Sequence, residues 1–177
     1  MAEQQGLIQI YYGDGKGKTT AGFGLAFRCA GCGKEVVIAQ FLKSGASGEV
    51  KAAERFSELT VLRTKELHKF TFQMNDEEKA ATAVHCQELF RQATALAVEQ
   101  QARLLVLDEA IDATYGFLPM QALCDWLDKD KPDWLEVVIT GHSIPQELAD
   151  RADYITHVQK EKHPYDKGVM ARKEIEF

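Results

Sequence analysis

The sequence has no long apolar run. A membrane-crossing helix needs about 20 consecutive apolar residues, and no stretch approaches that length. The first residues, MAEQQGLIQI, have no basic start and no extended apolar segment, so no export signal is expected. Cysteine is scarce: Cys29, Cys32, Cys86 and Cys124. Cys29 and Cys32 are spaced C-x-x-C, but no second such pair and no paired histidines complete a zinc site. They read as ordinary thiols near a helix end, and with no export signal this fits a reducing cytoplasm. An excess of positive charge is also missing. The net charge is −6, which argues against broad nucleic-acid binding but leaves room for a basic pocket that holds one small anion. There is no internal repeat, low-complexity segment or linker. What is present is an ordinary globular composition, 45% hydrophobic and 27% charged, in a chain whose length suits one domain with a full core, residues 1–177.

Short apolar segments alternate with helical ones. Strands are expected at Leu7 to Tyr12, Glu35 to Leu42, Leu59 to Arg63, Leu104 to Leu107, Val137 to Thr140 and Ile155 to Val158. Helices are expected from Thr19 to about Gly31, Val50 to Glu58, Met120 to Leu127, and from a cap at Asn75 to about Gln101. Asn75 and Glu78 have the spacing of a reciprocal capping box. Cys86, Leu89, Phe90, Ala93, Leu96 and Ala97 would line one face of that helix. Several strands lack a polar face, which predicts an α/β fold: a mostly parallel central sheet of about six strands with helices on both faces.

YYGDGKGKTTAGFG lies between the first strand and the first helix. Gly13, Gly15 and Gly17 permit a loop whose N–H groups turn inward, and the helix start adds partial positive charge. Lys18 supplies a full charge, and Thr19 a hydroxyl for Mg²⁺. The common G-x-x-x-x-G-K-[ST] spacing would put glycine at Tyr12. The loop is therefore either one residue shorter or begins with tyrosine, and Lys16 is an unusual second charge within it. Asp108 and Glu109 end an apolar strand, where a phosphate-loop protein holds its metal. Glu109 is expected to face the ligand, with Asp108 behind it. The residues thus indicate Mg²⁺–nucleoside triphosphate on a P-loop NTPase-like fold. They leave the bond broken open, and attack at the terminal phosphate by an ATPase or kinase is the default.

GDGKGKTTAGFG, IAQFLKSG, the GE of SGE, KFTF, VLDEA with GFLP, VITG and HPYDKGVMARKEIEF together resemble the ATP:corrinoid adenosyltransferases of bacterial cobalamin synthesis and salvage. The pieces occur in that family's order and span nearly the whole chain, and the one-residue shift of the loop is a family mark. The resemblance implies a different reaction: cobalt(I) of a reduced corrinoid attacks the ribose 5′ carbon of ATP, and triphosphate leaves. It implies ATP held with its phosphates reversed, Mg²⁺ or Mn²⁺, a flavodoxin-like flavoprotein reductant, a homodimer, and no nucleic-acid or membrane partner. The implied nucleotide contacts are Gly13, Asp14, Gly15, Lys16, Gly17, Lys18, Thr19 and Thr20, with Lys43 and Glu49. Thr19, Asp108 and Glu109 would hold the metal, and Lys18 the leaving group. Phe70 and Phe72, in the F-T-W position of the family, would wall off the lower face of cobalt.

Phe72 departs from the usual tryptophan, and His142 stands where arginine usually follows VITG. The longer N-terminal arm of some relatives is not seen. Gln40, Phe41 and Lys43 end the second strand, where ligands gather in parallel sheets. Lys43 suits phosphate, a corrinoid carboxamide or solvent equally. Glu49 is read as a ribose or adenine contact. Tyr165, Asp166 and Gly168 either line a site or close the fold. Beside adenosyl transfer and hydrolysis, a corrinoid-binding protein with little turnover stays open.

Overall fold

The apolar runs are short and rich in Val, Ile and Leu, while the segments between them carry apolar residues at helical spacing. In a computed structural model that describes residues 5–43, 47–64 and 71–175, these become six strands: β1 (Ile8–Tyr12), β2 (Val36–Gln40), β3 (Leu59–Arg63), β4 (Leu104–Asp108), β5 (Glu136–Gly141) and β6 (Tyr154–His157). The helices are α1 (Lys18–Ala30), α2 (Gly48–Ala53), α3 (Asp76–Glu99), α4 (Ala110–Ala113), α5 (Met120–Lys129) and α6 (Gln146–Ala149). Two 3₁₀ turns span Thr71–Gln73 and Pro164–Lys167. The strand order is β3-β2-β4-β5-β1-β6, and every pairing is parallel. The sheet is α/β and wholly parallel, one step beyond the mostly parallel sheet expected.

The period of two along each strand sorts its residues onto two faces. Val36, Ile38, Leu104, Val106 and Val138 pack with Phe23 and Ala26 of α1 and Ala53 of α2. Val37, Ala39, Leu105, Leu107, Val137 and Ile139 pack on the other side with the buried residues of α3, α4 and α5. Gly22 lets α1 lie close against the sheet: a Cβ there would sit 3.2 Å from Val106 Cγ1. Of the apolar face expected on α3, Cys86, Leu89, Phe90, Ala93 and Ala97 are buried, and Phe90 meets Trp126 edge-on at 5.9 Å. Cys29 and Cys32 end α1 as free thiols, the second exposed; Cys86 and Cys124 are free and buried. No helix among the described residues is long and apolar enough to cross a membrane.

Several boundaries differ from expectation. β2 stops at Gln40 because Leu42 turns into a left-handed conformation with φ 51°. α2 starts at Gly48 rather than Val50 and stops at Ala53, well short of Glu58. β6 is Tyr154–His157, one residue earlier than read. α4 and α6 were not expected; each is about one turn long.

The capping box at the head of α3 is present. Glu78 N–H donates to Asn75 Oδ1 at 2.8 Å, and Asn75 N–H to Glu78 Oε2 at 2.9 Å. Asn75→Ala removes the first of these bonds, so urea unfolding should show a loss of about 1 kcal/mol, most of which Asn75→Asp should retain.

Candidate active site

Tyr12 settles where the loop begins. It is still strand, paired with Gly141 of β5 and His157 of β6, and its ring stacks on His157 at 4.5 Å. The loop is therefore Gly13 to Gly17, one residue shorter than the common spacing. Its glycines have distinct reasons. Gly13 has φ +124°, and a Cβ there would lie 2.3 Å from the Val158 carbonyl oxygen; a Cβ on Gly15 would lie 2.8 Å from the backbone of Gln159. Both make room for the segment that follows β6. Gly17, at φ +117°, has open space where its side chain would be, and caps α1. The first N–H groups of a helix have no intrahelical acceptor, so those opening α1 are available to an anion. Lys18 Nζ donates to the Gly15 carbonyl at 2.9 Å, which folds the side chain back over the loop.

The segment after β6 holds the loop from behind. Gly15 N–H donates to the Val158 carbonyl at 2.8 Å, and Val158 N–H to the Tyr12 carbonyl at 2.7 Å. Asp14 accepts the Lys160 N–H at 3.1 Å, and this bond is the main reason its carboxyl sits below the ordinary range. Lys160 Nζ reaches Asp166, and Gly168 at φ +77° ends the same turn, while Tyr165 is exposed. These residues brace the loop's rear.

The centre of the site is Asp108, fully buried at the end of β4. Its Oδ1 accepts from Thr19 Oγ1 at 3.0 Å and from Thr140 Oγ1 at 2.8 Å. Its Oδ2 accepts from Gln40 Nε2 at 3.1 Å and from Lys43 Nζ at 3.0 Å. Lys43 Nζ also donates to Thr19 Oγ1 at 2.8 Å and stands 3.8 Å from Glu109 Oε1. Glu109, with φ 62°, leaves the strand direction, and its N–H donates to Thr140 Oγ1 at 2.9 Å. Thus it is Asp108 that Thr19 touches, while Glu109 faces Lys43. Burial, and secondarily the neighbouring Asp108 and Asp112, push the Glu109 carboxyl up to about 7, with Lys43 opposing.

This arrangement fits a hard divalent cation. A hydroxyl and two carboxylates, from Thr19, Asp108 and Glu109, converge on one point, and a positive charge already stands there in the Lys43 ammonium. Among the described residues no group of three or more His, Cys, Asp or Glu forms a metal cage.

The remaining candidates fall in three places. Glu49, Lys16 and Thr20 line an open cleft of about 520 Å³ beside the loop. His142 pairs with Asp112 of α4, its N–H on Oδ1 and its Nδ1 against Oδ2, both at 3.1 Å, with its ring exposed. Phe70 and the side chain of Phe72 lie outside the described residues. Sequence reasoning missed Thr140 and missed that the Gln40 amide bonds Asp108; each is a polar residue closing an otherwise apolar strand, which is the signal that could have found them.

A parallel sheet with a glycine loop leading from β1 into α1, and a buried carboxylate on β4 bonded to the helix-opening threonine, defines a P-loop NTPase-like fold. The cytoplasmic domain of EssC shares that fold, with a TM-score of 0.54 over 95% of this chain and 34% of the other at 15% identity. The family model for the ATP:corrinoid adenosyltransferases BtuR/CobO/CobP matches residues 4–177, so the chain belongs to that family. It is similar to the corrinoid adenosyltransferase CobA of Salmonella typhimurium, with 32% identity over 99% of this chain and 87% of the relative. It is also similar to the corrinoid adenosyltransferase of Escherichia coli K12, with 31% identity at the same coverage. The corresponding enzyme of Sinorhizobium sp shares 30% identity over 99% and 82%.

Glu109 gives a testable sign. For an acid whose folded value exceeds its ordinary 4.5, the protonated form favours folding. Its contribution is present below about 4.5 and lost as pH rises through about 7. Without divalent cation, Glu109→Gln should therefore gain stability relative to the parent between pH 5 and pH 8, read as the shift in urea midpoint. An identical difference at both pH values would mean that Glu109 ionises freely.

Proposed function

We propose that this chain transfers the 5′-deoxyadenosyl group of ATP to cobalt(I) of a reduced corrinoid, releasing triphosphate. The family to which the chain belongs supports the reaction. The observation that carries the mechanism is the convergence of Thr19, Lys43 and Asp108 beneath the start of α1. The C5′–O bond breaks only if the growing charge on the leaving oxygens is neutralised. Lys18, Lys43, the loop N–H groups and the helix terminus would serve that task. Thr19, Asp108 and Glu109 would hold Mg²⁺ or Mn²⁺, which supplies further charge neutralisation at the phosphates when bound.

Cobalt(I) is itself a strong nucleophile, so the reaction asks no general base of the protein. What the chain must add is in-line placement of carbon and cobalt. The nucleotide lies with its phosphates reversed relative to common phosphate-loop enzymes, so that the sugar is presented to the corrinoid. The family resemblance gives Phe70 and Phe72 the role of an apolar wall that would keep a lower ligand from cobalt and favour its reduction. A flavodoxin-like flavoprotein supplies the electrons, and the enzyme works as a cytoplasmic homodimer.

Anaerobic incubation with MgATP and chemically reduced cobalamin should yield a light-sensitive organocobalt species and triphosphate in equal amounts. ADP and phosphate without a new cobalt spectrum would identify a hydrolase instead. Lys18→Ala should cost about 3 kcal/mol or more of transition-state stabilisation, read as kcat/KM; a near-parental rate would remove Lys18 from the site. Phe70→Ala should slow reactions begun from cobalt(II) much more than those begun from cobalt(I). Equal losses in both would assign Phe70 to packing alone.

A further inference from the structure

The Lys43 ammonium touches the same atoms that would hold a divalent cation. Nζ donates to Thr19 Oγ1 at 2.8 Å and to Asp108 Oδ2 at 3.0 Å, and stands 3.8 Å from Glu109 Oε1. These three residues come from the head of α1, the end of β4 and the residue after it. One side chain from beyond the end of β2 thus comes within bonding or ion-pair distance of the whole donor set. The other cations nearby are turned elsewhere. Lys18 Nζ bonds the Gly15 carbonyl, and His142 pairs with Asp112. Among the described residues, Lys43 alone makes an ion pair with Asp108 or Glu109.

An ammonium and a divalent ion compete for such oxygens. Mg²⁺ sits about 2.1 Å from its ligands, so an ion on Thr19 Oγ1 would lie within about 5 Å of Nζ. Like charges that close repel strongly beside a carboxylate that is wholly buried. Lys43 also leaves one polar group of the site unsatisfied. Gln40 is buried, and its Nε2 donates to Asp108 Oδ2, but its Oε1 has no hydrogen-bond partner. A buried acceptor without a donor is costly. Lys43 gives it none, whereas a hydrated cation carries donors in its water shell. The Lys43 side chain is 24% exposed and Asp108 not at all, so of the two partners it is the lysine that is able to leave.

We infer that Lys43 is an internal counter-cation that competes with the divalent ion for Thr19, Asp108 and Glu109, so that the ion enters only as Lys43 leaves. The inference rests on the reading of those three residues as the ion's donors. In the free chain Lys43 neutralises the buried carboxylate and keeps a bare metal ion from seating there. An anionic substrate offers the ammonium another partner, so ion and nucleotide are taken up together rather than one at a time. Lys43 thereby positions the donors and sets the order in which the site fills.

The test measures Mn²⁺ binding to the nucleotide-free chain by electron paramagnetic resonance, for the parent, Lys43→Gln and Lys43→Arg. Lys43→Gln, which keeps a donor but loses the charge, should bind Mn²⁺ roughly tenfold or more tightly than the parent. Lys43→Arg, which keeps the charge, should stay near the parent. Adding Thr19→Ala to Lys43→Gln should remove the gain. An affinity in Lys43→Gln equal to or below the parent's overturns the inference, because lysine would then only brace the donors. An equal gain in Lys43→Arg, or a gain that survives Thr19→Ala, overturns it as well. Should Lys43→Gln fail to fold by circular dichroism, folding restored by Mn²⁺ but not by NaCl of equal ionic strength supports the exchange, and a chain unfolded in both overturns it. Mn²⁺–ATP binding to the parent and to Thr19→Ala separates the two readings. Unchanged affinity there ends the donor reading, whereas weakened affinity with no Mn²⁺ gain in Lys43→Gln ends only the role of Lys43.

Discussion

A carboxylate with no exposure to water has to be surrounded by donors, and Asp108 is the group around which this site is assembled. Removing a charge from water costs several kcal/mol unless close partners replace the lost hydration. Here the partners come from the helix after the loop (Thr19), from the end of β2 and the residues beyond it (Gln40, Lys43), and from β5 (Thr140). Each must reach one point, so the strand ends are held in register by the same bonds that build the site. Thr140 serves twice, accepting from Glu109 N–H and donating to Asp108. The Lys43 ammonium lies between the oxygens of Thr19, Asp108 and Glu109. Those oxygens therefore do not face one another without a positive charge among them, and the donor set is already gathered before a nucleotide arrives.

The loop is shaped from the opposite side by backbone rather than by charge. Gly13 and Gly15 accommodate the carbonyls of residues 158 and 159, and their own N–H groups are spent on Gly141 and Val158. The inward-facing donors of the loop therefore come from its second half, where Gly17 opens into α1. This explains how a loop one residue short still works. Tyr12, extended in β1 and stacked on His157, takes the place of a first glycine, and the chain leaves the sheet one residue later than the common spacing allows.

Much of the fold could be read from the sequence because its signals are local. Five-residue apolar runs marked the strands, Asn75 and Glu78 marked the head of α3, and the strand–glycine–helix context marked the loop. α4 and α6 escaped because a single turn carries no periodicity. The roles of Asp108 and Glu109 were legible in principle. Leu104 and Val106 face α1, so a period of two places Asp108 on that face, toward Thr19. Glu109 lies past the point where alternation holds, since its φ of 62° breaks the strand. What the sequence could not give was the meeting of Gln40 and Thr140 over one carboxylate, because that depends on β2, β4 and β5 being neighbours. Strand order is a property of the whole sheet and is not written in any one segment.

The net charge of −6 is no obstacle to holding a polyanion, because screening confines the effective field to about 8 Å at physiological salt. The loop and the head of α1 carry Lys16, Lys18 and a helix terminus, and Lys43 bonds Thr19 of α1 at 2.8 Å. Such a field does not choose the bond to be broken. Attack at the terminal phosphorus and attack at C5′ both build negative charge on phosphate oxygens, and the same donors stabilise either. The choice falls to the nucleophile and to the direction in which the nucleotide lies. A loop shared by hydrolases and alkyl transferases can thus remain nearly unchanged while the chemistry differs. What decides the reaction therefore has to lie outside the loop itself, in whatever sets the two ends of the nucleotide apart.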